Sequence, residues 1–213
     1  MNHLLKSCAV SAAALAVAML TGCTSPKGEP QTFEIGNKEF LLNGKPFLIK
    51  AAEIHYTRIP AEYWEHRIEM CKALGMNTIC IYAFWNIHEQ RPGEFDFEGQ
   101  NDVARFCRLA QKHGMYIMLR PGPYVCSEWE MGGLPWWLLK KKDIALRTSD
   151  PYFLERTKIF MNELGKQLAD LQAPRGGNII MVQVENEYGG YAVDKEYIAA
   201  IRDLSLIHIS EPT

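Results

Sequence analysis

Apolar and polar positions along this chain alternate between short β-branched runs and longer stretches with helical spacing. A continuous apolar run of strand length is typical of a strand buried on both faces, as in a parallel sheet. Four such runs occur: Phe47–Ile54, Thr78–Ala83, Tyr116–Arg120 and Ile179–Val184. Ahead of them, Thr32–Ile35 and Lys38–Leu42 flank a Gly-Asn pair and predict a β-hairpin.

Segments with helical spacing separate these runs. The first covers residues 60–74, the second covers residues 102–113, the third begins after Asp150, and a fourth begins near Asp194. Asp150 followed by Pro151 predicts a capped helix start. The spacing predicts three buried helix faces: Trp64, Ile68, Cys71 and Leu74; Val103, Phe106, Cys107 and Ala110; and Phe153, Thr157, Phe160, Leu164, Leu168 and Leu171.

Strands that alternate with helices predict an α/β fold with a parallel sheet. Two architectures fit, a doubly wound sheet and a TIM (β/α)8 barrel. No G-x-G-x-x-G turn follows the first strand, which weighs against a dinucleotide-binding sheet. All four strands end in polar and aromatic residues, as a barrel mouth requires: Glu53 and His55, Tyr82 and Trp85, Arg120 and Tyr124, and Glu185–Glu187. We therefore expect a TIM barrel, of which this chain holds roughly the first four βα units.

Residues 1–22 are typical of a targeting segment. Lys6 precedes an apolar, Ala-rich run that is too short to span a membrane and ends in Leu-Thr-Gly-Cys. This ending resembles the signal of bacterial lipoproteins, in which the Cys, here Cys23, carries the lipid. We expect an exported protein, lipid-anchored to a bacterial membrane, with residues 23–31 as a tether. A net charge of −2 with well-mixed acids and bases does not indicate nucleic-acid binding.

The strongest indication of chemistry is the polar end of the fourth strand. Glu185, Asn186 and Glu187 follow the apolar run directly. Carboxylates and amides at the carboxyl end of a buried strand are typical of an active site. On a strand, Glu185 and Glu187 would point the same way. We expect Glu185 to have a structural role, such as pairing with Arg120, because two carboxylates on one strand end would be a poor catalytic pair.

Three segments together carry a resemblance to a known family. Ala83–Glu89 follows the second strand, Arg120–Pro135 follows the third, and Val182–Gly189 ends the fourth. With Ile54–Arg58 after the first strand, they closely resemble glycoside hydrolase family 35, the retaining β-galactosidases. The resemblance extends from about Phe33 to Asp203, so residues 32–204 are expected to be the amino-terminal half of a catalytic barrel.

The resemblance implies roles for particular residues. Glu187, directly after the Asn of the motif, corresponds to the acid/base, and Asn186 corresponds to a residue that binds the sugar 2-hydroxyl. The substrate would be a terminal β-galactose of a glycan. The implied sugar contacts are Tyr82, Cys126, Ser127, Glu128 and Asn186.

The family's second carboxylate, its nucleophile, is a Glu at the end of strand seven. By our count this chain reaches strand four or five, so we expect the nucleophile to be absent and the chain alone to be inactive. The last residues, 205–213, depart from the family pattern and resemble a translated sequencing adapter.

Two hypotheses from other classes remain open. One is a sugar-binding lipoprotein that uses Glu128, Asn186 and Tyr82 without hydrolysis. The other is a metal-dependent barrel hydrolase, suggested by His55 and His88 near Glu53 and Glu89. No H-x-H or H-E-x-x-H spacing is present. We therefore favour structural histidines and expect neither a metal site nor a cofactor.

Overall fold

The structure is a computed structural model that describes residues 28–208, with side chains as far as residue 205. The predicted leader, Cys23 and the last five residues lie outside the described residues. Two residues of the expected tether are hydrogen-bonded to the folded part. Gly28 N donates to Gly176 O at 3.0 Å, and Gln31 N donates to Ala173 O at 2.9 Å.

Within residues 28–208, seven strands form two sheets. An antiparallel sheet contains β1 (Phe33–Ile35), β2 (Phe40–Leu42) and β3 (Lys45–Phe47). A parallel sheet, in spatial order, contains β4 (Ala51–Glu53), β5 (Thr78–Tyr82), β6 (Tyr116–Arg120) and β7 (Ile179–Val182). The predicted hairpin and the predicted parallel α/β sheet are both confirmed.

The predicted strand Phe47–Ile54 is wrong as a single element. It contains the end of β3, a crossover and the whole of β4. The crossover is fixed by one side chain, because Asn77 Nδ2 donates to Leu48 O at 2.8 Å and Asn77 Oδ1 accepts from Lys50 N at 2.9 Å. The apolar run therefore serves two sheets with different neighbours, which the sequence pattern does not distinguish.

In the described part of the chain, six α-helices accompany the strands: α1 (Trp64–Ala73), α2 (Trp85–His88), α3 (Val103–Lys112), α4 (Pro151–Leu168), α5 (Tyr188–Tyr191) and α6 (Lys195–His208). The predicted cap of α4 is confirmed, since Asp150 Oδ1 accepts from Phe153 N at 2.9 Å. Asp102 caps α3 in the same way, accepting from Arg105 N at 2.7 Å. Within residues 28–208, no helix combines the length and apolarity that crossing a membrane requires.

The predicted buried faces of α3 and α4 are confirmed in full. The prediction for α1 is wrong at Leu74, which is 77% exposed. The helix ends at Ala73, and Leu74 lies in the turn that leads to Gly75, so it no longer follows the helical repeat. Large side chains from several elements fill the core, for example Trp85 stacked on Phe160 with ring centroids 5.2 Å apart.

The two faces of the parallel sheet differ in burial. Register places Glu53, Cys80, Met118 and Met181 in one row across the four strands, and each is half-buried or exposed. Their neighbours along the strands, such as Ile79 and Ile117, are completely buried. One face is therefore covered by helices and the other is more open. The carboxyl ends of all four strands lie along one edge, where the polar residues meet.

Candidate active site

A hydrogen-bonded network connects the carboxyl ends of the four parallel strands. Tyr82 Oη donates to Glu53 Oε2 at 2.9 Å, and Arg120 Nη1 lies 3.4 Å from the same oxygen. Arg120 also donates to Tyr82 Oη and to Asn186 Oδ1. The structure thus brings the predicted sugar contacts Tyr82 and Asn186 together, with Arg120 between them.

An aromatic wall extends this network to one side. His55 Nε2 lies 2.9 Å from Glu53 Oε1, and the imidazole meets the rings of Tyr82 and Phe84 edge-on. Phe84 in turn packs on Trp129, with ring centroids 4.6 Å apart. This edge of the sheet therefore combines charged groups with aromatic rings, of which Tyr82 and Phe84 are buried and His55 and Trp129 are half-buried. Such a combination suits a sugar, which has both polar hydroxyls and apolar C–H faces.

The predicted pairing of Glu185 with Arg120 is wrong; its partner is Arg147. Glu185 is only 2% exposed and accepts two hydrogen bonds from the guanidinium, at 3.1 Å from Nε and 2.7 Å from Nη2. Tyr197 Oη adds a third, at 2.8 Å. The structural role expected for Glu185 is consistent with these contacts, but the arginine comes from the long loop before α4.

The expectation that Glu185 and Glu187 point the same way is also wrong. β7 ends at Val182, so neither residue lies on the strand. Both adopt left-handed backbone conformations, with φ of 60° and 48°. With this backbone, Glu185 is buried and Glu187 is exposed, so the two side chains do not share one direction. Such a conformation costs a non-glycine residue about 1–3 kcal/mol and persists only where the surroundings hold it.

The segment predicted to recognise galactose is also built on left-handed backbone. Cys126, Ser127 and Glu128 have φ of 60°, 55° and 47°. Arg58 Nη2 stabilises the turn by donating to the carbonyls of Ser127 and Glu128, both at 2.9 Å. The turn leaves the side chain of Glu128 exposed, without a hydrogen bond among the described residues, and the buried hydroxyl of Ser127 without a protein partner. The Glu128 carboxylate is therefore available to a ligand, and the Ser127 hydroxyl has unused hydrogen-bonding capacity.

Tyr124 connects this segment to the loop after β7. The guanidinium of Arg147 lies 3.9 Å from the centre of the Tyr124 ring. Gly132 allows the ring to lie there, since a Cβ at this position would be 2.0 Å from it. Desolvation by burial raises the pKa of Tyr124, so its hydroxyl stays protonated. The contact between Arg147 and Tyr124 thus joins the loop after β7 to the segment predicted to recognise galactose.

The histidine and glutamate pair that suggested a metal site is engaged in protein contacts. His88 is buried between Tyr56 Oη at 2.6 Å and the carbonyl of Asp96 at 2.8 Å. Burial lowers the pKa of His88 to about 4, so it is neutral. Glu89 pairs with Arg156. His88 is therefore a satisfied structural histidine, as the sequence favoured.

One grouping of possible metal ligands occurs among the described residues, at Glu65, Glu69 and His113 on the helical layer. Lys112 Nζ lies 2.7 Å from Glu65 Oε1, so a lysine already supplies a positive charge to this carboxylate. These residues make no contact with the strand-end network.

Sequence reasoning missed the roles of Arg147 and Arg58. Both act across long sequence separations, with partners 38 and 69 or more residues away. The available signal was chemical: an arginine near a predicted acidic site can supply a planar, bidentate donor. No spacing rule connects a loop arginine to one particular carboxylate.

Comparison with known proteins gives the family. Residues 39–212 match glycosyl hydrolases family 35. The chain is 46% identical over 186 residues to a beta-galactosidase of Xanthomonas manihotis, covering 87% of this chain and 31% of that protein. It is 43% identical over 182 residues to a beta-galactosidase of Homo sapiens, covering 84% and 27% respectively. The chain thus spans less than a third of the length of these relatives.

Solved structures of glycosidases share the fold. An exo-beta-1,4-mannosidase from Opitutaceae bacterium strain TAV5 matches with a TM-score of 0.58 at 20% identity, over 76% of this chain and 31% of that one. A beta-galactosidase from Marinomonas ef1 matches with a TM-score of 0.52 at 15% identity, over 68% and 22%. At this identity the similarity supports the fold alone, the parallel α/β arrangement of TIM-barrel glycosidases. Since the family match covers most of the sequence, the chain belongs to glycosyl hydrolases family 35.

Proposed function

We propose that this chain is part of a retaining β-galactosidase and that it supplies the acid/base, Glu187. The observation that carries the proposal is the loop after β7. Asn186 is bound at the strand-end network, while the carboxylate of Glu187 is exposed beside it. A fixed main chain with one available carboxylate is what proton transfer to a bound sugar requires.

Glu187 would act twice in a double displacement. It first donates a proton to the oxygen of the leaving group as the glycosidic bond breaks. It then removes a proton from the water that attacks the glycosyl-enzyme intermediate. The nucleophile would be a second carboxylate about 5 Å away, since that separation is typical of retaining enzymes. We propose that it lies on a later strand, outside this chain.

The remaining strand-end residues would select and orient a terminal β-galactose. Asn186 would bind the 2-hydroxyl, a contact that strengthens in the transition state. Glu128, Ser127 and Cys126 would line the side of the sugar that distinguishes galactose from its epimers. The support for this assignment is the available carboxylate of Glu128 and the unpartnered buried hydroxyl of Ser127. Tyr82 would complete the floor of the site.

We also propose that the four parallel strands are the first half of a TIM barrel. The half-buried row formed by Glu53, Cys80, Met118 and Met181 would then face the barrel interior. The support comes from the match to less than a third of each full-length relative. We use "full-length protein" below for the product of the complete reading frame that includes this chain.

We further propose that the full-length protein is exported and lipid-anchored through Cys23. The basis is the sequence alone, a short apolar segment ending in Leu-Thr-Gly-Cys. Labelling of cells with a fatty acid analogue tests it. The expected result is a labelled protein that loses its label in Cys23→Ala. Equal labelling of both forms, or of neither, would contradict the anchor.

The first test of the activity is hydrolysis of 4-nitrophenyl β-D-galactoside by the full-length protein, followed by NMR of the released sugar. We expect β-galactose to appear first, because two inversions give net retention. Initial release of α-galactose, or the absence of hydrolysis combined with measurable galactose binding, would overturn the proposal. The second outcome would favour a sugar-binding lipoprotein.

Two glutamates on the same loop give a matched test of substrate recognition. Glu128 and Glu130 are both exposed, and only Glu128 lies in the predicted recognition turn. We expect Glu128→Gln to lower kcat/KM for the galactoside by about 10²-fold or more, because the lost acceptor leaves sugar hydroxyls unpaired. Glu130→Gln is expected to change it by less than about threefold. Equal effects would remove Glu128 from the site.

A further inference from the structure

We propose that Arg147 is a positioning residue that sets the placement of the acid/base Glu187 and of Asn186. This inference rests on the proposed function. The observation behind it is an arginine that is 6% exposed and lies directly beneath the loop that carries both residues.

The guanidinium fixes a side chain and a main-chain atom together. Nε and Nη2 bind the two carboxylate oxygens of Glu185, and Nη2 also donates to the carbonyl of Asn186 at 2.7 Å. That carbonyl belongs to the peptide group that leads into Glu187. Arg147 therefore acts on the residue immediately before the proposed acid/base, without reaching its carboxylate.

Two further polar atoms of Asn186 are held as well. Its N–H donates to Glu185 Oε2 at 2.7 Å, and its Oδ1 accepts from Arg120. The carboxylate of Glu187 forms no hydrogen bond among the described residues. The loop is thus restrained at three polar atoms of Asn186, its N–H, its carbonyl and its Oδ1, while the group that would meet the substrate remains available. This distribution suits placement of a catalytic carboxylate.

Aromatic residues restrain the arginine from both sides. The rings of Tyr124 and Tyr191 lie 3.9 Å and 4.1 Å from the guanidinium carbon. Tyr197 donates to Glu185, and burial raises the pKa of Tyr197, so it remains a donor. Tyr124 lies two residues before the recognition turn that begins at Cys126, and Tyr191 lies in α5. Arg147 therefore couples the placement of the acid/base to the placement of the sugar-recognition turn.

Arg147→Lys is the diagnostic change, because lysine keeps the positive charge and loses the planar fork that makes three hydrogen bonds. Arg156→Lys is the matched control. Arg156 also pairs with a buried glutamate and also lies over an aromatic ring, but the other hydrogen bonds of its partner Glu89 are with Trp85, Gly93 and Trp137 and not with the loop after β7. Arg156 makes a single hydrogen bond to Glu89, from Nη2, so both variants alter a guanidinium contact to a buried carboxylate.

The experiment compares kcat/KM of full-length variants for two galactosides that differ in leaving group. The methoxy leaving group of a methyl galactoside needs protonation by Glu187, whereas the 2,4-dinitrophenolate of a dinitrophenyl galactoside departs without protonation. We expect Arg147→Lys to lower kcat/KM about 100-fold for the methyl glycoside and less than about tenfold for the dinitrophenyl glycoside. Arg156→Lys is expected to change both by less than about threefold.

Loss of 2-hydroxyl selectivity gives a second readout. We expect Arg147→Lys to reduce the preference for dinitrophenyl galactoside over its 2-deoxy analogue by about fivefold, since Asn186 moves with the loop. A purely structural role for Arg147 predicts that both substrate ratios stay at the wild-type value. That result, or the same change in Arg156→Lys, would overturn the inference.

Tyr197→Phe provides an independent variant if Arg147→Lys does not fold. It removes one hydrogen bond to Glu185 and keeps the ring. We expect the same dependence on leaving group with a smaller loss, about fivefold for the methyl glycoside. An unchanged ratio in this variant would also overturn the inference. If the wild-type protein hydrolyses neither galactoside, the proposed function itself fails.

Discussion

Two arginine–glutamate pairs in this chain each bury a carboxylate against a guanidinium and differ in their surroundings, although Arg147 makes two hydrogen bonds to its glutamate and Arg156 makes one. In one, Arg147 holds Glu185 beneath the loop after β7. In the other, Arg156 on α4 holds Glu89, just after α2. Both carboxylates are completely shielded from solvent, and both accept further donors, Tyr197 Oη for Glu185 and Trp85 Nε1 for Glu89.

The difference lies in what each pair is attached to. The Arg156 pair joins the amino-terminal half of a long helix to a short one, and its surroundings are regular structure and core aromatics such as Trp137. The Arg147 pair lies in an irregular loop, in which its own member Glu185 and the nearby Glu187 both have left-handed conformations. A buried ion pair is weak grounds for stability, because desolvation offsets much of the attraction. Its location therefore indicates its role better than its geometry does.

The first prediction separates stability from activity by breaking each pair. We expect Arg147→Met and Arg156→Met each to lower the free energy of unfolding of the full-length protein by about 3–5 kcal/mol, since both leave a buried carboxylate unpaired. Denaturant unfolding measures this. Activity is then compared at low temperature, where both variants are folded. We expect kcat/KM for the methyl galactoside to fall relative to that for the dinitrophenyl galactoside only in Arg147→Met. Equal falls in both variants would contradict different roles for the two pairs.

The second prediction concerns the acid sensitivity of stability and assigns it to His88. This residue precedes Glu89 in the sequence and lies in the core beside Tyr56. Burial lowers the pKa of His88 from 6.5 to about 4. Between these values the unfolded state binds a proton that the folded state excludes, so stability falls as pH decreases from about 6.5 to about 4. The loss can reach about 3 kcal/mol.

Unfolding curves at several pH values test this contribution. We expect His88→Gln to be less stable than the wild type near pH 7 and to lose less stability between pH 6.5 and pH 4. Parallel pH dependences in the two proteins would show that His88 does not control acid sensitivity.

The third prediction concerns partial repair of each pair. Adding Glu89→Gln to Arg156→Met removes the unpaired charge and keeps an oxygen for Trp85. We expect it to restore about 1–2 kcal/mol of stability and to leave activity near that of the wild type. The corresponding change, Glu185→Gln with Arg147→Met, is expected to restore stability without activity. Recovery of activity in that double variant would contradict a positioning role.

The sequence predicted regular elements better than it predicted the site. Asp150 and Pro151 predict the start of α4, because capping is a local property of a few residues. The segment Glu185–Glu187 was located by its place after a buried strand, and the proposed acid/base role of Glu187 came from the resemblance to family 35. The orientations of Glu185 and Glu187 were predicted incorrectly, because β7 ends at Val182 and the left-handed backbone beyond it leaves no periodic signal.

Long-range pairing was the other limit. Arg147 lies in a loop with no helical or strand periodicity, and its partner Glu185 is 38 residues away. Arg120 and Arg147 both lie near Glu185 in the folded chain, and charge alone does not show which of them pairs with it. The fold excludes Arg120, because this residue ends β6 and binds Tyr82 and Asn186 instead.

The most direct test of the central assignment is azide rescue of Glu187→Ala in the full-length protein. With dinitrophenyl β-galactoside, the intermediate forms without an acid but hydrolyses slowly, because no base activates water. Azide needs no base, so we predict that it restores turnover and yields β-galactosyl azide. Near wild-type hydrolysis of the methyl galactoside by Glu187→Ala, or formation of α-galactosyl azide, would contradict the account, since the latter would make Glu187 the nucleophile.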